Sequence, residues 1–89
     1  MKFPLGRIVI TRTALAHMEQ TGDDPRSYLL RHMSGDWGDL GGADKRSNEQ
    51  AVARGLRLLS RYKTPGGEAL YVITEHDRSA TTIMLTSDY

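Results

Sequence analysis

From Leu56 to Thr86 the chain consists of three runs of strand-forming residues divided by two tight breakers, Pro65-Gly66-Gly67 and Asp77-Arg78-Ser79. The runs Leu56–Thr64, Ala69–His76 and Ala80–Thr86 are rich in Leu, Val, Ile, Thr and Tyr. Their connections are too short for a crossover, so consecutive runs must lie antiparallel, and the segment is expected to form a β-meander. Helix signals precede it. Thr11 or Thr13 can cap a helix running from about Ala14 to Thr21, which Gly22 stops. Asp24 places a carboxylate acceptor before Pro25, which has no N–H to satisfy, and this pair starts a second helix that reaches about Met33. Asp44 is expected to cap a third, about Lys45 to Arg54, ended by Gly55. Near the N-terminus, Arg7 to Arg12 carries Ile8-Val9-Ile10, a continuous β-branched run that predicts a strand buried on both faces or centrally placed.

Helices in the first half and strands in the second define an α+β class: a short N-terminal strand and two to three short helices packed on one face of an antiparallel β-meander. The expected core is Ile8, Ile10, Leu15, Met18, Tyr28, Leu29, Val52, Leu58, Leu70, Val72, Ile83 and Leu85. With 89 residues the chain has material for one domain, 1–89, and 38% hydrophobic residues supply one core. There is no Cys, which removes thiolate chemistry and points to a reducing, cytoplasmic setting, since small domains of oxidising compartments usually rely on disulfides. No apolar run approaches the roughly 20 residues of a membrane helix, and the N-terminal stretch lacks the apolar segment of a signal peptide. Twelve Lys+Arg against 11 Asp+Glu leave a net charge of +1, so the whole molecule exerts no general attraction on nucleic acid. The cations are nine Arg and three Lys, a bias towards planar contacts with carboxylate or phosphate.

Two stretches carry a resemblance: Arg31-His32-Met33-Ser34-Gly35-Asp36-Trp37-Gly38-Asp39-Leu40, and Ile73-Thr74-Glu75-His76-Asp77-Arg78-Ser79-Ala80-Thr81-Thr82-Ile83-Met84-Leu85. With the opening Met1-Lys2-Phe3-Pro4-Leu5-Gly6, the run Leu58-Leu59-Ser60 with Tyr62, and Tyr89, the chain resembles a family of short bacterial proteins carried on plasmids and integrative elements, usually described as plasmid-related. The resemblance spans nearly the whole chain and implies a mobile-element accessory protein. It brings no active site with it. A DNA-modification role, sometimes attached to such proteins, conflicts with the length, because a methyltransferase needs a larger nucleotide-binding α/β sheet.

The residues themselves offer three candidate constellations. The segment Gly35-Asp36-Trp37-Gly38-Asp39 sets the sole Trp between glycines and carboxylates within Ser34–Ala43, which holds four of the nine glycines and must be irregular. Trp37 is either an anchor for a partner or a lid folded over the helix–sheet core, with Asp36 or Asp39 bonding local amides. His32 with Asp36, Glu75 or Asp77 has the composition of an acid–base pair, although its place on a helical stripe is the ordinary place of a structural His. Arg57, Arg61 and Lys63 stand an even number of residues apart, so they share a strand face with Leu59, and Arg78 at an exposed turn tip can extend that basic row towards phosphates. The same row also suits the solvated face of a two-layer fold. No His spacing matches a metal motif, no phosphate loop or nucleophile elbow is present, and no cofactor is expected.

The expected function is therefore that of a small non-enzymatic accessory protein. It would bind a protein or nucleoprotein partner through Asp36, Trp37, Asp39, Arg57, Arg61 and Arg78, with nucleic acid as a further ligand class for the Arg face. The mobile-element resemblance adds an anti-defence inhibitor of the anti-CRISPR or antirestriction type as its specific form. Two alternatives stand beside it. One is a small endoribonuclease toxin resembling the RelE and BrnT classes, acting through Arg31, His32, Arg61 and Arg78. The other is a structural homodimer joined through the Leu59 face or an outer strand.

Overall fold

In the computed structural model, which describes residues 1–89, the elements follow the order β1 (Arg7–Ile10), α1 (Arg12–Thr21), α2 (Pro25–Met33), α3 (Gly42–Arg54), β2 (Leu58–Lys63), β3 (Ala69–Thr74) and β4 (Ala80–Leu85), with a closing 3-10 turn at Thr86–Asp88. The fold is α+β. β2, β3 and β4 form the meander that the two breakers impose, and β1 joins it parallel to β4, giving the strand order β1-β4-β3-β2.

Local chemistry accounts for the helix ends. The Thr11 hydroxyl accepts the Ala14 N–H at 3.3 Å and starts α1 two residues before the expected Ala14. Gly22 ends it with φ 70°, a left-handed conformation that costs a glycine little. Asp24 accepts the Arg26 N–H at 2.9 Å and Pro25 opens α2, as the sequence requires. α3 begins earlier than expected. Gly41 is its N-cap with no side-chain bond, so Asp44 is not the cap but an acid in the first turn, where it complements the positive end of the helix dipole.

Strand β2 alternates sharply: Leu58, Ser60 and Tyr62 are buried beneath the helices, while Leu59, Arg61 and Lys63 turn outwards. The helix-side core has two parts. Ala14, Met18, Tyr28, Tyr62, Leu70, Val72 and Ile83 form the larger, and Phe3, Trp37, Ala51 and Leu58 the smaller. Six of the expected core residues (Met18, Tyr28, Leu58, Leu70, Val72 and Ile83) are buried. Ile10, Leu29, Val52 and Leu85 pack at the core margins. Ile8 is 41% exposed because β1 is an edge strand and not a central one, and Leu15, on the outward side of α1, is exposed to the same extent. The parallel pairing to β4 supplies neighbours on one side only.

The opposite edge, β2, is closed. Asn48 of α3 donates to the Leu59 carbonyl at 2.7 Å and accepts the Leu59 N–H at 3.2 Å, taking the place of a further strand. Two residues along, Arg61 donates its N–H to the Trp37 carbonyl at 3.1 Å and accepts from the Asp39 N–H at 2.6 Å. The irregular α2–α3 connection is thus anchored to β2 by a one-residue parallel bridge at Gly38. Gly38 is required there: a Cβ would lie 2.1 Å from the Arg61 carbonyl oxygen and 2.6 Å from the Tyr62 ring, and φ is 74°.

Candidate functional site: a charged cleft beside β2

The Gly38 bridge brings side chains from three elements around one open cleft of about 300 Å³, lined by Arg31, Asp36, Gly38, Asp39, Arg61, Tyr62 and Lys63. Arg31 comes from the last turn of α2, Asp36 and Asp39 from the connection, and Arg61 and Lys63 from the outward face of β2. Arg31 Nε donates to Asp36 Oδ2 at 2.7 Å, and its guanidinium lies 4.4 Å from the centre of the Tyr62 ring. Asp36 also receives the Gly38 N–H at 3.2 Å on its other oxygen, so both carboxylate oxygens are engaged. The hydrogen bond from Arg31 holds the Asp36 carboxyl below its ordinary range, and the same bond raises Arg31. The Tyr62 hydroxyl donates to the Asp36 carbonyl at 2.5 Å, and burial pushes its ionisation up to about 12. Arg61 faces Asp39 at 4.0 Å, and Lys63 joins none of the ion pairs.

Of the residues singled out in the sequence, Asp36, Asp39 and Arg61 therefore meet in one place, together with Arg31 and Lys63. Trp37 does not join them at the surface. Its indole is 4% exposed, stacks on Phe3 at 6.1 Å and donates from Nε1 to Glu49 at 2.9 Å. Trp37 is the lid on the smaller core, and its flanking carboxylates project into the cleft above it.

Arg57 and Arg78 also lie elsewhere. Arg57 precedes β2, donates to the Tyr89 hydroxyl at 2.8 Å, and lines a second hollow of about 260 Å³ with Leu40, Asp44, Asn48, Leu59 and Tyr89. Arg78 is not the exposed turn tip that the sequence suggests. Its guanidinium turns back to donate to the Leu56 carbonyl at 2.6 Å and to the Ala51 carbonyl at 2.9 Å, within the last turn of α3 and just beyond it. The Ala51 carbonyl already accepts the Gly55 and Leu56 N–H groups, and the negative end of the helix dipole favours the added cation there. The backbone gives way to make the contact, with Arg78 at φ 63°, the only non-glycine residue at positive φ. The Arg57-Arg61-Lys63-Arg78 row is thus divided, and only Arg61 and Lys63 share a site.

His32 is fully buried. Its Nδ1 is 2.6 Å from Ser60 Oγ and its Nε2 is 2.9 Å from Thr74 Oγ1, so it is paired to hydroxyls and to none of Asp36, Glu75 or Asp77. Proton counting assigns the tautomer. Thr81 must donate to the Leu5 carbonyl at 2.7 Å, so the Thr74 hydroxyl donates to Thr81 at 2.7 Å. Thr74 then has only a lone pair for His32, which must be protonated on Nε2 and accept from Ser60 on Nδ1. Burial, with a smaller repulsion from Arg78, lowers the imidazole to about 4. Phe3 and Trp37 meet its ring edge to face at 5.1 and 5.8 Å. This arrangement specifies a core and offers no proton to solvent. The signal that could have exposed it is the alternation in β2 and β3, which puts Ser60 and Thr74 on the same inward face as Leu58 and Val72.

No group of three or more His, Asp or Glu side chains converges where a metal ion could sit, and no helix is long and apolar enough to cross a membrane. Comparison of the chain with protein-family models, with curated proteins and with solved structures finds no match.

Proposed function

We propose that the protein is a binding module that docks on a macromolecular partner through the cleft of Arg31, Asp36, Asp39, Arg61 and Lys63. One observation carries this reading: the Gly38 bridge to Arg61 fixes the backbone on both walls of the cleft, so charges of both signs stand pre-positioned at the surface. Pre-positioning lowers the ordering cost of association, and a mosaic of both signs selects a partner with a complementary mosaic. A polyanion fits less well, since Asp36 and Asp39 repel it where Arg31 and Arg61 attract it. The partner class is therefore a protein or a nucleoprotein contacted on its protein surface.

The resemblance to mobile-element proteins gives the proposal its specific form, an inhibitor of a bacterial defence system of the anti-CRISPR or antirestriction type. The toxin alternative draws no support from the geometry. Arg31 and Arg61 line the cleft, His32 is sealed in the core, and Arg78 is bound to α3 carbonyls.

The test is protection of a targeted plasmid in hosts with active CRISPR interference or restriction. Expression of the chain is expected to raise transformation in at least one such host. Arg61→Glu with Lys63→Glu is expected to abolish the gain without altering the melting temperature. Absence of protection in every host overturns the anti-defence form, and protection indifferent to the double substitution overturns the cleft. Growth arrest by the wild-type chain, relieved by Arg31→Ala, overturns the binding reading in favour of a toxin.

A further inference from the structure

The two edges of the sheet are treated oppositely. β2 is sealed by Asn48 and by the Trp37–Asp39 bridge, whereas no element flanks β1 on its outer side. The Arg7 N–H donates to the Ser79 carbonyl and the Thr11 N–H to the Ile83 carbonyl, both towards β4. Alternation along a strand then turns the N–H and C=O groups of Ile8 and Ile10 away from β4, to the open edge. No side chain of the protein hydrogen-bonds to either residue, and Ile8 is 41% exposed. Apart from its shortness and the charge of Arg7, this edge is lined by Ile-Val-Ile and carries no inward charge, no proline and no bulge to keep it single.

We infer that this edge is a homodimer interface, in which β1 pairs antiparallel with β1 of a second copy about a two-fold axis at Val9. The inference does not depend on the cleft, which lies beside the opposite edge. In this register Ile8 stands opposite Ile10 of the second copy. Their outward N–H and C=O groups exchange both hydrogen bonds, twice over by symmetry. Arg7 falls opposite Thr11 of the second copy. The Thr11 hydroxyl donates to Asp88 Oδ2 at 3.1 Å and the Thr13 hydroxyl to the same oxygen at 2.5 Å, so a carboxylate waits beside that position. Arg7 is exposed and has no ion-pair partner within the chain, and neither has Asp88. The paired arrangement brings Arg7 and Asp88 together on both sides of the axis. That complementarity selects a second copy over an arbitrary extended peptide, because Asp88 reaches the edge only through the fold of another such chain. Two four-stranded sheets would then become one continuous sheet, with the clefts at its two far ends.

Sedimentation and amide hydrogen exchange on the full chain, from micromolar to millimolar concentration, test the inference. Wild type is expected to pass from monomer to dimer, with the Ile8 and Ile10 amides gaining protection as it does and the Arg7 and Thr11 amides unchanged. Ile8→Pro removes an outward donor without touching the β4 ladder and is expected to leave a folded monomer. Arg7→Glu tests the same edge without touching the backbone and is expected to weaken the dimer about tenfold or more. Arg7→Glu combined with Asp88→Lys is expected to recover part of that loss. A chain that stays monomeric throughout overturns the inference. So does a dimer whose Ile8 and Ile10 amides remain unprotected, or one indifferent to Arg7→Glu.

Discussion

Asn48 hydrogen-bonds the peptide of Leu59 in both directions, at 2.7 and 3.2 Å, so one side chain of α3 stands in for a missing strand. The pairing ties α3 to the sheet although the helix offers few apolar residues, with only Asn48 and Ala51 buried. Removing both partners with Asn48→Ala leaves a carbonyl and an N–H unpaired in a part-buried site. A loss of about 2 kcal/mol is expected in denaturant unfolding, with faster exchange of the Leu59 amide. Asn48→Asp keeps the acceptor for the N–H but sets a carboxylate against the Leu59 carbonyl, and is expected to recover none of the loss.

His32 makes stability depend on acid. Its imidazole ionises near 4 in the folded chain against about 6.5 when free, so the unfolded state binds the proton more readily. Its contribution is complete above about pH 6.5 and is lost as pH falls towards 4, amounting to about 3 kcal/mol over the window. Melting temperature against pH is expected to drop across this range. A folded His32→Gln variant is expected to be flatter there, and an unchanged profile would place the acid response on other groups.

Trp37 is expected to emit as a buried indole, blue-shifted and poorly quenched. Trp37→Ala empties the smaller core beside Phe3 and Leu58 and is expected to cost about 3–5 kcal/mol, the range for large aromatic truncations. Trp37→Phe keeps a ring against Phe3 and loses the bond to Glu49, so a markedly smaller loss is expected. Red-shifted, readily quenched emission would return Trp37 to the surface.

Arg78 separates side-chain from backbone effects. Arg78→Ala removes the donors from Ala51 and Leu56 while keeping a Cβ at φ 63°, and a loss of about 2–3 kcal/mol is expected. Arg78→Gly loses the same bonds but relieves the left-handed conformation, so it is expected to be about 1 kcal/mol milder. Chemical denaturation of the two variants checks the order, and equal losses would show that the backbone there carries no strain.

Features that rest on neighbouring residues were legible in the chain before any fold was known. Asp24 and Pro25 start α2 because the acceptor and the missing N–H are two adjacent residues, and Gly22 and Gly55 stop helices because each needs only its own left-handed backbone. Pro65-Gly66-Gly67 and Asp77-Arg78-Ser79 set the meander because short loops leave neighbouring strands one way to pair. Alternation in β2 likewise put Arg61 and Lys63 on the face away from the helices. Tertiary structure decided everything that rests on partners distant in the chain. The run Ile8-Val9-Ile10 reads as buried, yet its exposure depends on where it joins the sheet, and pairing with β4 across some seventy residues leaves it an edge. His32 reads equally as a proton carrier or a core residue, and only Ser60 and Thr74, brought in from β2 and β3, decide for the core. Arg78 belongs by sequence to an exposed turn, but the C-terminal end of α3 lies beside it, and the long cation turns back onto the Ala51 and Leu56 carbonyls at the negative end of that helix. Side-chain types and their spacing limit what each residue can bond, whereas the choice among those bonds is made when distant elements close on one another and leave a single arrangement with its buried polar groups paired.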